Sequence, residues 1–321
     1  MLNNIILDIL TTSQAMNILI VAQDQNIFGI LSKQSMTANE VSSHIGAQLK
    51  NTSSFLDACV ALGLLRFSCG HYFNSHIAEV HLIKERPRYL GDLIKLKAAE
   101  VISWQDMRDF ILDNKQPFQK GLSVSNLDFT LAMNNIGMLG EAEALANVVP
   151  IKSKAVMADV GCGSGVYSIA LCRNNPGLHA ILIDKKEILK YTKKFILESN
   201  LLTRVSFQAK NIKKDLYGKG LDLVLISDVL YDNSDLNAAM LKLAYKSLAP
   251  DGLIVLRGYY SDPDRSLPIH GALFNLSMLM HEPLSEVLSI PSLKHIIQDA
   301  GFKKTKVIAI TERSSCLIAW K

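Results

Sequence analysis

Beyond residue 150 the apolar positions fall into short runs separated by helical or loop segments. "AVMADV", "HAILID", "VSFQAK", "LDLVLIS" and "GLIVLRG" read as strands. Strands that alternate with helices imply right-handed βαβ units and a parallel sheet. "KKTKVIAI" and "SCLIAWK" would close the sheet. Upstream the apolar spacing is helical. "AMNILIVAQDQNIFGIL" predicts a helix ending near Gly29, and "MTANEVSSHIG" offers Thr37 as N-cap, Glu40 three residues on and Gly46 as the stop. "NTSSFLDACVALGLL" predicts another helix, and "RFSCGHYFNS" a hairpin turning at Gly70. Helix, turn, helix and hairpin make a winged-helix pattern. Helices around "SWQDMRDFIL" and "LAMNNIGMLGEAEALANVV" lead to Pro150. The expected domains are 1–83, a helical linker 84–150, and an α/β domain 151–321.

The length of 321 residues suits two domains, each with its own core. Winged helices often bind DNA, but residues 1–80 carry three basic groups (Lys33, Lys50, Arg66) against five acidic ones (Asp8, Asp24, Glu40, Asp57, Glu79). A DNA reader needs cations to displace counterions from phosphates. The expectation is therefore no nucleic acid and a packing domain, with Ile5, Ile6, Ile9 and Leu10 suited to a dimer interface. Lys84, Arg86, Arg88, Lys95 and Lys97 read as a solvated helix face. No apolar run approaches the roughly 18 residues needed to span a bilayer, and the N-terminus lacks a basic leader region, so no membrane partner is expected. The five cysteines (Cys59, Cys69, Cys162, Cys172, Cys316) lack CxxC spacing. They suggest reduced thiols in a cytoplasm and no metal site.

The chemistry gathers where strands end. "ADVGCGSGVYSIAL" follows the first strand of the alternating region and opens a helix. Gly161, Gly163 and Gly165 allow a tight turn and close backbone approach to a ligand. Asp159, just ahead, would repel a pyrophosphate but suits a cationic ligand. Asp184 ends the next strand, where a carboxylate can accept two ribose hydroxyls. Further on, "LISDVLYDNSD" runs from a buried strand into Asp228, Tyr231, Asp232 and Asp235.

"DVGCGSG" with Asp184 resembles class I S-adenosylmethionine (AdoMet)-dependent methyltransferases. "VAQDQNIFGIL", "DACVALGLL", "GHYFNS" and "LAMNN" narrow the resemblance to small-molecule O-methyltransferases with a winged-helix dimerisation domain. It covers nearly the whole chain, and the glycine loop is its most specific part. It implies a Rossmann-like, seven-stranded AdoMet-binding α/β domain, a homodimer through the N-terminal domain, and a substrate cleft to which the helical linker contributes. It also implies AdoMet contacts at Gly161, Gly163, Asp184, Asn211 and Ser227, alongside Asp159 and Gly165 of the loop. Asn211 stands where relatives often carry an aspartate. Met133, Phe274 and Ser277 are the candidate substrate contacts.

The family's "VLHDWSD" carries a histidine general base, and here Tyr231 takes that place. A histidine near pKa 6.5 takes a phenolic proton at neutral pH, whereas a tyrosine near 10 seldom does. A family glutamate after the fifth strand of that domain is replaced by Arg257 and Gly258. In "LPIHGALFNLSMLMH", Pro268 marks a helix start, and His270, Phe274, Ser277 and His281 share one face. His270 and His281 would lie about 16 Å apart, too far to chelate one metal. Tyr231 and His281 are thus the candidate catalytic residues, Tyr231 as a positioning group and His281 as a relocated base. The expected function is methyl transfer from AdoMet to a small molecule, at oxygen. Carbon or nitrogen methylation, and a non-catalytic AdoMet-binding regulator, are the alternatives.

Overall fold

The computed structural model describes residues 5–113, 124–261 and 269–321, so Pro268 lies outside the described residues. The chain divides into two compact units, Met1–Val101 and Ile102–Lys321.

The first unit contains α1 (Ile5–Asp24), α2 (Ile27–Leu31), α3 (Ala38–Ile45), α4 (Leu49–Ala61), β1 (Leu65–Ser68), β2 (His71–Asn74) and α5 (His76–His81); α6 (Gly91–Trp104) crosses the division. The single helix expected to run to Gly29 is instead two, because Asn26 adopts φ 53° between α1 and α2. Asparagine tolerates that left-handed conformation better than most residues. The capping box forms as expected: Thr37 Oγ1 accepts from the Glu40 amide at 3.3 Å, and Glu40 Oε2 accepts from the Thr37 amide at 2.7 Å. The β1–β2 hairpin turns through Cys69 and Gly70, both at positive φ. Ile27, Phe28, Leu56 and Tyr72 pack in the core of this winged-helix unit.

One expectation needs correcting. By length and composition α1 is apolar enough to cross a membrane. Asp8, Thr11, Thr12, Ser13, Gln14 and Asn17 are interspersed among its apolar residues, so no uninterrupted apolar run marks it in the sequence. Ile5, Ile6, Ile9 and Leu10 are each 60–69% exposed.

The second unit begins with α7 (Met107–Asp113), α8 (Asn126–Ile136), a π-helical turn over Gly137–Glu141, and α9 (Ala142–Val148). Then follow β3 (Ala155–Val160), α10 (Val166–Asn174), β4 (Leu178–Asp184), α11 (Lys186–Glu198), β5 (Val205–Ala209), β6 (Leu221–Ser227), α12 (Ser234–Ser247) and β7 (Leu248–Gly258). The chain ends with α13 (Ile269–His281), α14 (Ile290–Asp299), β8 (Lys304–Ala309) and β9 (Ser315–Trp320). Among the described residues the sheet has seven strands in the order β5-β4-β3-β6-β7-β9-β8. Only β9 runs antiparallel to its neighbours, β7 and β8. The central strands are apolar almost throughout because both faces are covered: Leu223, Val224, Leu225 and Ile226 are all buried. From β3 the chain moves outward first through β4 and β5, then through β6 and β7 on the other side. The switch therefore lies between β3 and β6, where a parallel sheet opens a crevice at its carboxyl ends.

Candidate active site

At the carboxyl end of β3 the chain turns through Gly161, Gly163 and Gly165, with φ of 74°, 53° and 79°. A side chain at Gly163 would meet no atom within 4 Å, so open space lies beside its Cα. Asp184, at the end of β4, accepts from the amides of Gly163 at 2.9 Å and Lys185 at 2.7 Å. The half-buried carboxylate is thereby fixed at the rim of this space. Asp159 sits beneath the loop, 3% exposed, and accepts from Ser168 Oγ at 2.5 Å. Burial pushes its carboxyl up to about 7, although the Ser168 hydrogen bond opposes the shift. Asn211 is exposed, and its Oδ1 accepts from the Lys213 amide at 3.0 Å, capping its own loop. Gly161, Gly163, Gly165 and Asp184 are thus brought together at the carboxyl ends of β3 and β4, while Ser227 ends β6 with its hydroxyl 3.5 Å from Asp228 Oδ2. Asn211 is turned to local hydrogen bonding.

The second half of the site is built at the ends of β6 and β7. Tyr231 is 7% exposed, and its hydroxyl donates to Asp228 Oδ1 at 2.9 Å while accepting from the Tyr259 amide at 3.1 Å. A side chain at Gly258 would come within 2.9 Å of that oxygen, so the glycine makes room for the phenol. Burial, reinforced by neighbouring Tyr260, raises the Tyr231 hydroxyl well above its ordinary value. Phe274 of α13 packs edge-on to Tyr231, with ring centroids 4.9 Å apart, and lies 5.1 Å from Tyr259.

Arg257 accounts for the network. Buried completely at the end of β7, it forms ion pairs through Nη1 with Asp228 Oδ2 and through Nη2 with Glu141 Oε2. Its guanidinium lies 5.4 Å from the Tyr167 ring centroid and 5.0 Å from that of Tyr259. Glu141 enters from the π-helical turn and also accepts from Ser314 Oγ at 3.2 Å. Sequence reasoning noted Arg257 only as a departure and assigned no role to Asp228 or Glu141. A charged residue inside the apolar run "LIVLRG" was the available signal, since a buried cation demands a partner.

The other expected residues scatter. Met133 on α8 and Ser277 on α13 are half-buried. His281 is the exposed last residue of α13, and its Nδ1 pairs with the Ser277 carbonyl at 2.7 Å. His270 is exposed at the other end of the helix, its imidazole lowered by partial burial and by Arg313. Asp232 pairs with Lys213 at 2.8 Å, away from the phenol hydroxyl, and Asp235 is exposed.

The model of the O-methyltransferase domain matches residues 111–303, and that of the O-methyltransferase dimerisation domain matches 7–84. The chain belongs to the O-methyltransferase family. Members of this family use AdoMet, and in this O-methyltransferase the glycine loop leaves open space beside Gly163 with the Asp184 carboxylate next to it. A 3-hydroxy-5-methyl-1-naphthoate 3-O-methyltransferase of Streptomyces sahachiroi is 26% identical, covering 81% of this chain and 78% of its own. An L-tyrosine C(3)-methyltransferase of Streptomyces lavendulae is 21% identical, covering 83% of this chain and 77% of its own. The crystal structure of human N-acetylserotonin methyltransferase in complex with SAM has the same fold, with a TM-score of 0.88 at 19% identity, covering 99% of this chain and 96% of that one.

Proposed function

We propose that this O-methyltransferase methylates a hydroxyl of a small secondary metabolite, bound against the Tyr231–Phe274–Tyr259 wall beside the glycine loop. The observation that carries this reading is the open space at Gly163, rimmed by Asp184, adjoining the half-buried end of β6. When bound, AdoMet supplies a methyl group on a sulfonium. In this reading Gly161, Gly163 and Gly165 let the backbone approach the cofactor, Asp184 receives its ribose hydroxyls, and Asp159 and Ser227 line its bed. Asn211 would reach the adenine only by leaving its local cap. Met133, Phe274 and Ser277 hold the acceptor, and Tyr231 shapes the pocket. The chain's main contribution is alignment of nucleophile and methyl group, which can remove several kcal/mol from the barrier.

The same reading makes the protein a cytoplasmic homodimer joined through α1 and its neighbours, without nucleic-acid or membrane partners. The acidic excess of residues 1–80 and the free thiols support it. Methylation at carbon is the second reading, favoured by the tyrosine that replaces the family's histidine base. Calorimetry with S-adenosylhomocysteine tests the cofactor site. Gly163→Val fills the open space and Asp184→Ala removes the rim carboxylate, so each should weaken binding at least about tenfold. Unchanged affinity in both variants would refute the assignment.

A further inference from the structure

Of the three charged side chains in the buried network, only Asp228 retains substantial exposure: 27% of its side chain, against 6% for Glu141 and none for Arg257. It follows Ser227 at the carboxyl end of β6, on the crevice side of the sheet's switch point. The next residue, Val229, lies against Gly161 of the glycine loop. Asp228 also holds a left-handed backbone conformation, φ 55°, fixed by its amide donating to the Arg257 carbonyl at 2.9 Å. Non-glycine residues keep such conformations where the surroundings over-determine them, and functional sites are enriched in them. Tyr231 donates to one carboxylate oxygen, while Arg257 and, at 3.5 Å, the Ser227 hydroxyl donate to the other. A carboxylate has about four lone-pair positions, so these partners leave room for an incoming donor.

We propose that Asp228 accepts the proton of the acceptor's hydroxyl during methyl transfer, and that Arg257 and Tyr231 are positioning residues that hold its carboxylate ionised and aimed. The proposal rests on the methyl-transfer reading above. The acceptor oxygen uses a lone pair to form the new C–O bond. The S–C bond breaks with its electron pair going to sulfur, and the O–H proton passes to Asp228. The products are the methyl ether, neutral S-adenosylhomocysteine and a protonated Asp228, which returns its proton to solvent. A carboxylate is a weak base toward a resting phenol. As the C–O bond forms, however, the oxygen becomes strongly acidic, and late proton transfer to a fixed carboxylate is downhill. Tyr231 is unsuited to the task, because its own proton is already committed to Asp228.

The experiment uses the full chain with two probe acceptors, phenol and para-nitrophenol, the latter ionised in the assay buffer. Asp228→Asn should lower kcat on phenol by about 10²–10⁴-fold and on the nitrophenolate by less than about tenfold. Asp228→Glu keeps the charge and covers the case in which the asparagine variant does not fold. Its displaced carboxylate should give the same selective loss. Tyr231→Phe should cost less than about tenfold on either acceptor. A readout independent of turnover is the absorbance of para-nitrophenol bound with S-adenosylhomocysteine. A facing carboxylate disfavours the phenolate, so the bound probe should ionise at higher pH in the wild type than in Asp228→Asn. Equal losses on both acceptors, or an unshifted spectral titration, would overturn the proposal alone. Wild-type protein that binds S-adenosylhomocysteine yet neither binds nor methylates either probe would overturn the reading of the acceptor site beneath it.

Discussion

Arg257→Met tests whether the buried network holds the carboxyl end of the sheet together. The triad has one cation for two carboxylates, with Arg257 fully buried, Glu141 at 6% and Asp228 at 27% side-chain exposure. Methionine fills much of the same volume but leaves Glu141 with Ser314, and Asp228 with Tyr231, as the remaining partners shown in the network. Breaking a buried ion pair by removing one member costs about 3–5 kcal/mol, against a total stability of about 5–15 kcal/mol. For a chain of this size that corresponds to a Tm lower by about 4–7 °C. Without the cation, burial and mutual repulsion favour the protonated carboxyls. Folded-state values raised above the unfolded ones make stability fall as pH rises, so the deficit should shrink on acidification. The triple variant Arg257→Met, Glu141→Gln, Asp228→Asn should recover much of the loss, because no charge is left unpaired. Urea unfolding followed by circular dichroism at two pH values measures the loss, its pH dependence and the recovery, and a thermal scan gives the Tm. A single variant within about 1 kcal/mol of wild type at neutral pH would refute the reasoning.

Two further outcomes follow from other parts of the molecule. Asp159 titrates near 7 in the folded chain, against about 3.9 when unfolded, so its contribution to stability falls as pH rises from about 4 to 7 and is flat beyond. Asp159→Asn should cancel that slope in urea-midpoint measurements; an identical pH profile in both proteins would count against a buried neutral carboxyl. Replacing Ile5, Ile6, Ile9 and Leu10 with serine should convert a dimer to a monomer by light scattering, because these side chains are 60–69% exposed in the single chain. A dimer that survives the change would place the interface elsewhere.

The centre of the sheet was legible because its strands are buried on both faces and so appear as nearly continuous apolar runs; β3 and β6 coincide with the runs quoted from the sequence. The glycine loop was legible for a different reason: positive φ at three glycines leaves a compositional mark. The break at Asn26 was not, since one left-handed residue barely disturbs helical periodicity. Nor was the Glu141–Arg257–Asp228 network, whose members lie far apart in the chain and meet only when β6, β7 and the π-helical turn assemble. Tyr231 could be located from its motif, but the commitment of its hydroxyl depends on the Tyr259 amide and on Gly258, and neither carries a signature.

The space that Gly258 leaves for the Tyr231 hydroxyl bears on how such a site can change over generations. A histidine at 231 would be shorter, leaving a void under Gly258 and stranding the Tyr259 amide. A larger residue at 258 collides with the phenol while tyrosine remains. Altering Arg257 first isolates two carboxylates. Neighbours coupled in this way do not contribute additively, so the cost of each step depends on which of the others has already been taken. The region would then act as a ratchet in sequence space: once tyrosine, glycine and arginine stand together, changing any one of them alone disturbs contacts that the others maintain.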